Sequence, residues 1–262
     1  MAEPRPPRPE IAAIALPGCV FLALVVLMEL AKRGGWLPIT VPGPSEIAAA
    51  VPRSWSDLLY HAGPTILAST TGYLIAASLA MLLGALAVAS NHTERTVFRL
   101  GLVVDSVPLI ALTPILMVWI GTGMTARITI STIAAFFPLL VGAIQGLKAT
   151  DRNRLELFHV LAASPWQRLT LLQWPTALPY LFAALRIAAP LAVLGALIAE
   201  WVNAERGLGI MMVYALFSFD VPLVWLTIVS VCGLAMLAYG LVALVERLVL
   251  SGWPEARQAG LG

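Results

Sequence analysis

The residue types that most often carry catalysis or bind metals are few in this chain and are poorly spaced for either purpose. Three histidines, His61, His92 and His159, are scattered along the sequence without the spacing of metal ligands. The sequence contains no H-E-x-x-H, no G-x-x-x-x-G-K-[ST], no Ser/His/Asp set and no paired acids on one helix face. It therefore predicts no catalytic residue, no metal site and no nucleotide bound through a P-loop of its own.

The most strongly patterned polar segment of the chain is 154–175, RLELFHVLAASPWQRLTLLQWP. Ser164 is a favoured N-cap, Pro165 suits the first helical position, and Gln167 completes a capping box. A residue before proline is disfavoured in a helix, so the chain should bend sharply at Ser164. The sequence predicts a helix-bend-helix within a segment of about 150–178.

The two helices of this element have predicted limits. The first is expected over 153–163, with an apolar stripe of Leu157, Val160 and Leu161. The second is expected over 165–174, after which Pro175 and Pro179 should break the chain again.

The composition sets the class of the protein around this element. Of its 262 residues, 60% are hydrophobic and 11% are charged, whereas soluble domains carry about 25% charged residues. A membrane-spanning helix needs about 20 mostly apolar residues. Six segments qualify, and they predict an all-α polytopic membrane protein with a single domain over 1–262: 11–31, 64–90, 100–120, 127–147, 179–202 and 221–249.

The first apolar segment, 11–31, also resembles a signal peptide in its position. Its apolar run is long and no A-x-A site follows it, which favours a retained N-terminal helix. The core of the domain is then expected over about 64–249.

Lysine and arginine in the short loops predict the orientation of the spans. With the N-terminus inside, most basic residues fall on the cytoplasmic side, and six spans return the C-terminus to that side. Segment 32–63 then lies outside, where 45–51 is expected to form a short interfacial helix.

Prolines interrupt the three middle segments: Pro108 and Pro114 in the third, Pro138 in the fourth and Pro190 in the fifth. A proline inside a helix frees backbone groups, which in a bilayer must be satisfied by protein or by a water-filled cavity. These prolines and Ser131 are therefore expected to line a translocation pathway. Two alternatives stay open, because proline is common in membrane helices and a hydroxyl also bonds to its own helix.

Ionisable residues inside spans are costly and therefore point to function. Asp105 and Arg186 are placed at similar depth, so they can form a pair. Glu200, near the outer end of the fifth segment, is added to the predicted pathway residues. It is expected either to face a solute entrance or to meet water.

The pattern of segment 154–175 resembles the permeases of binding-protein-dependent ABC importers, which carry E-A-A-x3-G-x9-I-x-L-P. Glu156 matches the Glu, Leu172 the Ile and Pro175 the final Pro, while Ala162 stands at the Gly position. Because Gly is replaced, the bend is predicted to be tight without relying on a left-handed Gly, with Pro165 and the Ser164 cap supplying its geometry instead.

Further blocks over roughly 36–250 resemble the branch of that family serving nitrate, sulfonates and taurine. The order and spacing of these blocks match those of that branch. The blocks are 163–167, 175–180, 185–188, Pro108-x5-Pro114, 119–123, and Ala199-Glu200 with 207–209. The solute itself stays open among sulfonate, taurine, nitrate and heterocyclic vitamin precursors.

This resemblance implies a permease subunit in the bacterial cytoplasmic (inner) membrane, where it forms a homodimer with a second copy. It implies an extracytoplasmic solute-binding protein and two ABC ATPase subunits as partners, with ATP and Mg²⁺ on the ATPase and no cofactor on this chain. Nucleic acid is not an expected partner. The residues implied for coupling to the ATPase are Glu156, His159, Ala162, Ala163, Ser164, Pro165, Trp166 and Pro175.

Two other classes of function are weighed against this one. An intramembrane enzyme would need facing polar catalytic groups at one membrane depth, and the sequence offers none. A passive channel would use the helix-bend-helix only to bind a regulator, and it would not couple solute movement to ATP hydrolysis.

Overall fold

The computed structural model describes residues 11–88 and 90–251, and all regular structure in these ranges is helical. This confirms the predicted all-α class. In chain order the elements are α1 (Ile11–Arg33), α2 (Pro44–Ala87), α3 (Asn91–Asp105), α4 (Leu109–Ile120), α5 (Met124–Lys148), α6 (Arg152–Val160), α7 (Pro165–Arg168), a π-helical turn (Leu169–Gln173), α8 (Trp174–Asn203), α9 (Leu208–Phe217) and α10 (Val221–Ser251).

Four helices of the described ranges are long and apolar enough to cross a membrane: α2, α5, the continuous helix Pro165–Val202 and α10. A fifth crossing results if α3 and α4 together count as one bent span. The polytopic architecture is therefore confirmed, whereas the predicted number of six spans is not. Helix α1, which coincides with the predicted first span, is not among the four.

Helix α2 is much longer than predicted, because the expected interfacial helix at 45–51 and the span at 64–90 are parts of one helix of 44 residues. Pro52 and Pro64 lie inside it without ending it. Each removes one helical hydrogen bond, and packing compensates for that loss. The N-terminal half of α2 is held by a buried apolar cluster of Ala50, Leu58, Leu208, Met211 and Leu226, which joins α2 to α9 and α10.

The centre of the bundle is formed by α2, α5 and α8, and small residues bring these helices close together. A Cβ on Gly84 would lie 2.7 Å from the Cβ of Ala143, and a Cβ on Gly142 would overlap Ala184. Close backbone approach through small residues is the usual way in which membrane helices gain packing energy. The core around them consists largely of alanine and leucine, including Ala76, Ala80, Ala135, Leu140, Ala188 and Ala192.

The predicted third span at 100–120 is not one straight helix. Helix α3 ends at Asp105, and α4 begins at Leu109 at an angle of 93° to it. Pro108 is the N-cap of α4 rather than an interior residue, and only Pro114 lies inside that helix. The break follows from Pro108, since its ring prevents helical hydrogen bonding there and disfavours helix at the preceding residue.

A tight connection at 121–123 joins α4 to α5. Gly121 adopts a φ of +95°, which residues with a Cβ rarely tolerate. The hairpin places the start of α5 beside α4, where Leu116, Met117 and Ile130 share a buried cluster.

The prediction that Pro175 and Pro179 break the chain is wrong, because one continuous helix runs from Pro165 to Val202. The chain accommodates Pro175 by a π-helical turn, in which the Trp174 N–H donates to the oxygen of Leu169. A proline at 175 offers no N–H to the carbonyl four residues earlier and its ring would meet that carbonyl. The wider turn relieves this conflict, and Pro179 then lies inside α8.

Candidate functional site

An elbow, residues 152–173, is formed by α6, α7 and the π-helical turn at one end of the bundle, which we name the elbow end. The Asp151 side chain caps α6 by accepting from the Asn153 N–H at 3.2 Å. Glu156 pairs with Arg152 one turn away, with Nε and Oε1 3.1 Å apart. Both side chains are exposed, as is His159 in the last turn of α6. Exposed pairs of this kind stabilise a helix only slightly, so the elbow keeps its shape by other means.

The bend of the elbow begins with a left-handed residue that is not a glycine, so Pro165 and the Ser164 cap do not set its geometry alone. Ala162 has a φ of +52°. The Ala163 N–H donates to Phe158 O at 3.0 Å and the Ala162 N–H to His159 O at 3.0 Å. These are the two hydrogen bonds of a Schellman motif, which requires a residue with positive φ just beyond the helix. The backbone geometry therefore persists although alanine occupies a position suited to glycine.

The second half of the bend is a capping box, as predicted. The Ser164 hydroxyl accepts from the Gln167 N–H at 3.2 Å, and the Gln167 side chain accepts from the Ser164 N–H at 2.8 Å. Pro165 occupies the first turn of α7. The Schellman motif closes α6 through the amides of Ala162 and Ala163, and the capping box starts α7 at Ser164, so these hydrogen bonds of the bend all come from residues of the elbow itself.

The tip of the elbow carries large apolar side chains that are mostly exposed. Val160 is 81% exposed, Leu161 66% and Trp166 71%. They lie on either side of the bend, next to the predicted coupling residues Ala163 and Ser164. Contiguous apolar groups at such exposure on a polar segment mark a surface that binds another protein or a membrane.

Contacts at the base of the elbow hold it to the bundle and hold the end of α5 that leads into it to α3. Lys148, the last residue of α5, binds both carboxylate oxygens of Glu94 on α3 at 2.8 Å. The Gln173 side chain donates to Leu147 O at 3.4 Å, and Leu172 is buried. Pro175 lies at this base rather than at the tip. The elbow is therefore joined to α5 by a side-chain contact and to α8 by a continuous helix, and the end of α5 is joined in turn to α3.

The residues predicted to line a pathway do not come together in one channel of the protomer. Ser131 is fully buried, and its hydroxyl donates to Ala192 O at 2.8 Å between α5 and α8. Pro138 and Pro190 are half-buried within α5 and α8. By contrast, Pro108 and Pro114 are exposed on the surface of the α3–α4 break.

Comparison with known proteins decides the family. Residues 76–251 match the binding-protein-dependent transport system inner membrane component family, which covers more than half of the chain. The chain belongs to this family. Its predicted kinship with ABC importer permeases is thereby confirmed, and the permease is a multi-pass membrane protein.

Several relatives of the permease are transport permease proteins. It is 32% identical to the formylaminopyrimidine transport permease protein ThiX of Halalkalibacterium halodurans, over 89% of this chain and 94% of the relative. It is 28% identical to the riboflavin transport system permease protein RibX of Chloroflexus aurantiacus, over 93% of this chain and 91% of the relative. It is 29% identical to the taurine transport system permease protein TauC of Escherichia coli, over 88% of this chain and 87% of the relative.

A solved structure supports the fold of the permease. The inward-facing MetNI methionine ABC transporter contains a chain that superimposes with a TM-score of 0.59 at 22% identity. The match covers 75% of this chain and 94% of that chain. At this identity the comparison establishes the helical architecture alone.

A second polar site of the permease lies at the end of the bundle opposite the elbow, around Glu200. Both predictions for Glu200 are wrong in the protomer, because its side chain is fully buried and meets neither an entrance nor water. Its carboxylate accepts from the Thr65 hydroxyl and from the Gly209 N–H, each at 2.8 Å. These bonds join α8 to α2 and to the first turn of α9.

The segment leading into α9 is bound by two further side chains. The Arg127 guanidinium donates to Arg206 O at 2.9 Å. His61 Nδ1 lies 3.0 Å from the oxygen and 3.1 Å from the nitrogen of Gly207. Thr65 also accepts from the Leu208 N–H at 2.9 Å. We call this set the Glu200 cluster; its members are His61, Thr65, Arg127, Glu200 and the segment 206–209.

Sequence reasoning missed most of this cluster. Gly207 has a φ of +145°, and a Cβ there would overlap the Glu200 carboxyl group. The Gly-Leu-Gly spacing at 207–209 was a usable signal for a tight approach of backbone to a side chain. Nothing in the sequence indicated that His61, Thr65 and Arg127 would supply the partners, because they lie on other helices.

The expected pair between Asp105 and Arg186 is also wrong. Arg186 instead binds Glu246 of α10, with Nε and Oε2 3.1 Å apart. Its guanidinium also lies 6.0 Å from the centre of the Tyr239 ring. Arg186 thus links α8 to α10, and it is not a partner of Asp105 on α3.

Proposed function

We propose that this permease is the membrane-spanning subunit of an ATP-driven importer that moves a small polar solute by alternating access. Family membership supports the transport role. The observation that carries the coupling role is the elbow, whose self-supporting bend presents Val160, Leu161 and Trp166 to solvent. An apolar tip held at a defined angle is suited to insertion into a cleft of a partner protein.

The partner that this tip is suited to bind is an ABC ATPase subunit. We assign one ATPase to each permease copy in a homodimer, with ATP and Mg²⁺ bound by the ATPase. An extracytoplasmic binding protein delivers the solute. The relatives named for formylaminopyrimidine, riboflavin and taurine support a small polar solute, and they differ among themselves in its identity.

The proposed orientation places the elbow in the cytoplasm and the Glu200 cluster on the outer side. Basic residues are concentrated near the elbow end, which supports this assignment under the positive-inside rule. Among them are Arg95, Lys148, Arg152, Arg154 and Arg168.

Energy enters the permease through the elbow in this proposal. ATP-driven closure of the two ATPases moves both elbows, and the attached helices α3, α5 and α8 move with them. Rocking of the two permease copies against each other then alternates access to a route between them.

The test is co-purification and transport with Leu161→Ser. We expect the variant to insert normally but to lose most of its bound ATPase and its ATP-dependent uptake, because a polar group replaces an apolar contact. Leu59→Ser is the matched control, since Leu59 is 57% exposed far from the elbow. Uptake that proceeds without ATP, or normal ATPase binding by Leu161→Ser, would contradict the proposal.

A further inference from the structure

The break between α3 and α4 lies near the middle of the bundle's depth. Glu94 on α3 is level with the end of α5, because it binds Lys148. Asp105 follows eleven residues after Glu94, which is about 16 Å of helix. Half of a 30 Å hydrocarbon core is about 15 Å.

A second contact gives the same depth for Asp105. Gly101, one turn before it, packs against Leu140 and Phe137, which lie close to the middle of α5. Asp105 therefore ends α3 at the level where the bilayer is least polar.

The side chain of Asp105 is nevertheless exposed on the protomer, together with Ser106 and Pro108. None of the ion pairs in the described part of the chain includes Asp105. Arg186, the cation placed at similar depth, binds Glu246 instead.

Contact with lipid is the least favourable surrounding for this carboxylate, since a charged side chain at the bilayer centre costs about 2.5 kcal/mol or more. A second copy of the chain offers no obvious cation at this level, because its Arg186 is paired in the same way. A water-filled route beside the α3–α4 break satisfies the carboxylate, and ionisable groups inside membranes typically mark such routes.

Resting on the proposed function, we infer that Asp105 is a selectivity residue of the translocation route, and that it favours solutes presenting a cationic or N–H donor group. An ionised carboxylate is an acceptor only, so it binds ammonium, guanidinium or amino-heterocycle donors. It repels a solute whose only charged group is an anion. Simple anions such as nitrate and alkyl sulfonates are thereby disfavoured, whereas aminated heterocycles and amines are favoured.

The experiment uses thiol reagents of opposite charge as probes, so that the solute need not be known. In the assembled transporter, the exposed Cys19 and Cys232 are replaced by serine, and Ser106→Cys places a thiol beside Asp105. A cationic and an anionic methanethiosulfonate of similar size are compared, with and without ATP. The same comparison at Thr122→Cys, in the α4–α5 connection, gives the intrinsic ratio of the two reagents.

We expect the ratio of the cationic to the anionic reaction rate to be about five- to tenfold higher at position 106 than at position 122. Asp105 attracts the cationic reagent and repels the anionic one, each across about 7 Å of water. Asp105→Asn should remove this preference, and Asp105→Arg should reverse it. The matched change Asp57→Asn, at an exposed carboxylate on the outer part of α2, should leave it unchanged.

Three results would overturn the inference: no reaction at position 106 with or without ATP, equal ratios at positions 106 and 122, or a ratio that Asp105→Asn does not alter. ATPase binding and ATP-dependent uptake are measured on the same preparations. If these fail while the charge preference persists, the proposed coupling is wrong and the selectivity of the route stands.

Discussion

The elbow and the Glu200 cluster hold a bent piece of chain in opposite ways. In the elbow, each bond of the bend joins residues three to five positions apart, as between Ser164 and Gln167. In the Glu200 cluster, the Thr65–Glu200 bond spans 135 positions and the His61–Gly207 contact spans 146. The elbow is therefore shaped by local sequence, whereas the start of α9 is shaped by three other helices.

The two regions also differ in how far their side chains are exposed. The tip of the elbow presents Val160, Leu161 and Trp166 to solvent, while Glu200 and Thr65 are fully buried. A locally shaped unit keeps its form when it moves against the bundle. A buried network that joins distant helices loses hydrogen bonds when those helices separate, and each unpaired buried group costs about 1–3 kcal/mol. The comparison predicts that changes in the cluster affect folding and that changes in the elbow affect coupling.

The largest loss of stability is expected from Gly207→Ala in the Glu200 cluster. The added Cβ meets the Glu200 carboxyl group, and the φ of +145° strains any residue with a side chain. Left-handed strain and overpacking together should lower stability by about 2–5 kcal/mol. Thermal unfolding of the detergent-solubilised permease measures this loss.

Gly233→Ala is the matched control, because a Cβ at Gly233 would have no neighbour within 4 Å. It should change the stability by less than about 1 kcal/mol. If the two variants unfold at the same temperature, the cluster does not constrain the entry to α9.

A smaller effect on stability, with a clear effect on coupling, is expected from Ser164→Ala combined with Pro165→Ala. Loss of an N-cap costs about 0.5–2 kcal/mol, and the cost is confined to the bend. Membrane insertion should be unchanged, while solute transported per ATP falls. Cross-linking from a cysteine at Ala163 to the ATPase should become weaker and less specific. Parental cross-linking and transport in this variant would show that the bend is not the coupling joint.

The smallest effect on stability is expected from Ala162→Gly, which should stabilise the bend rather than weaken it. Glycine adopts the φ of +52° without the cost of about 1–2 kcal/mol that a Cβ adds in the left-handed region. The elbow should become more rigid. Hydrogen exchange at the Ala163 amide, which closes the Schellman motif, should slow by up to about tenfold. Faster exchange would mean that alanine does not strain the bend.

The elbow was largely predictable because its signals are local. The N-cap, the first-turn proline and the capping-box glutamine of 164–167 each act within one turn, and the structure contains all three. The left-handed Ala162 was missed because alanine gives no sign of positive φ. The geometry there comes from the two hydrogen bonds that close α6, which persist without glycine.

Helix limits in the membrane were less predictable, because proline has no fixed effect there. Pro108 separates two helices, Pro175 is accommodated by a π-helical turn, and Pro64 lies inside α2. Packing against neighbouring helices decides among these outcomes, and packing partners cannot be identified from one sequence. For the same reason the Glu200 cluster and the Arg186–Glu246 pair emerged only from the structure.

The helix Pro165–Val202 connects the elbow with the opposite end of the permease, where Glu200 lies. Its 38 residues form a lever about 57 Å long at 1.5 Å per residue. A tilt of about 5° at the elbow therefore displaces the far end by about 5 Å, more than the length of a hydrogen bond. In the proposed coupling, a small angular stroke at the ATPase is thus geometrically sufficient to pull the Glu200 carboxylate away from Thr65 and to release the start of α9 at the opposite end of the bundle.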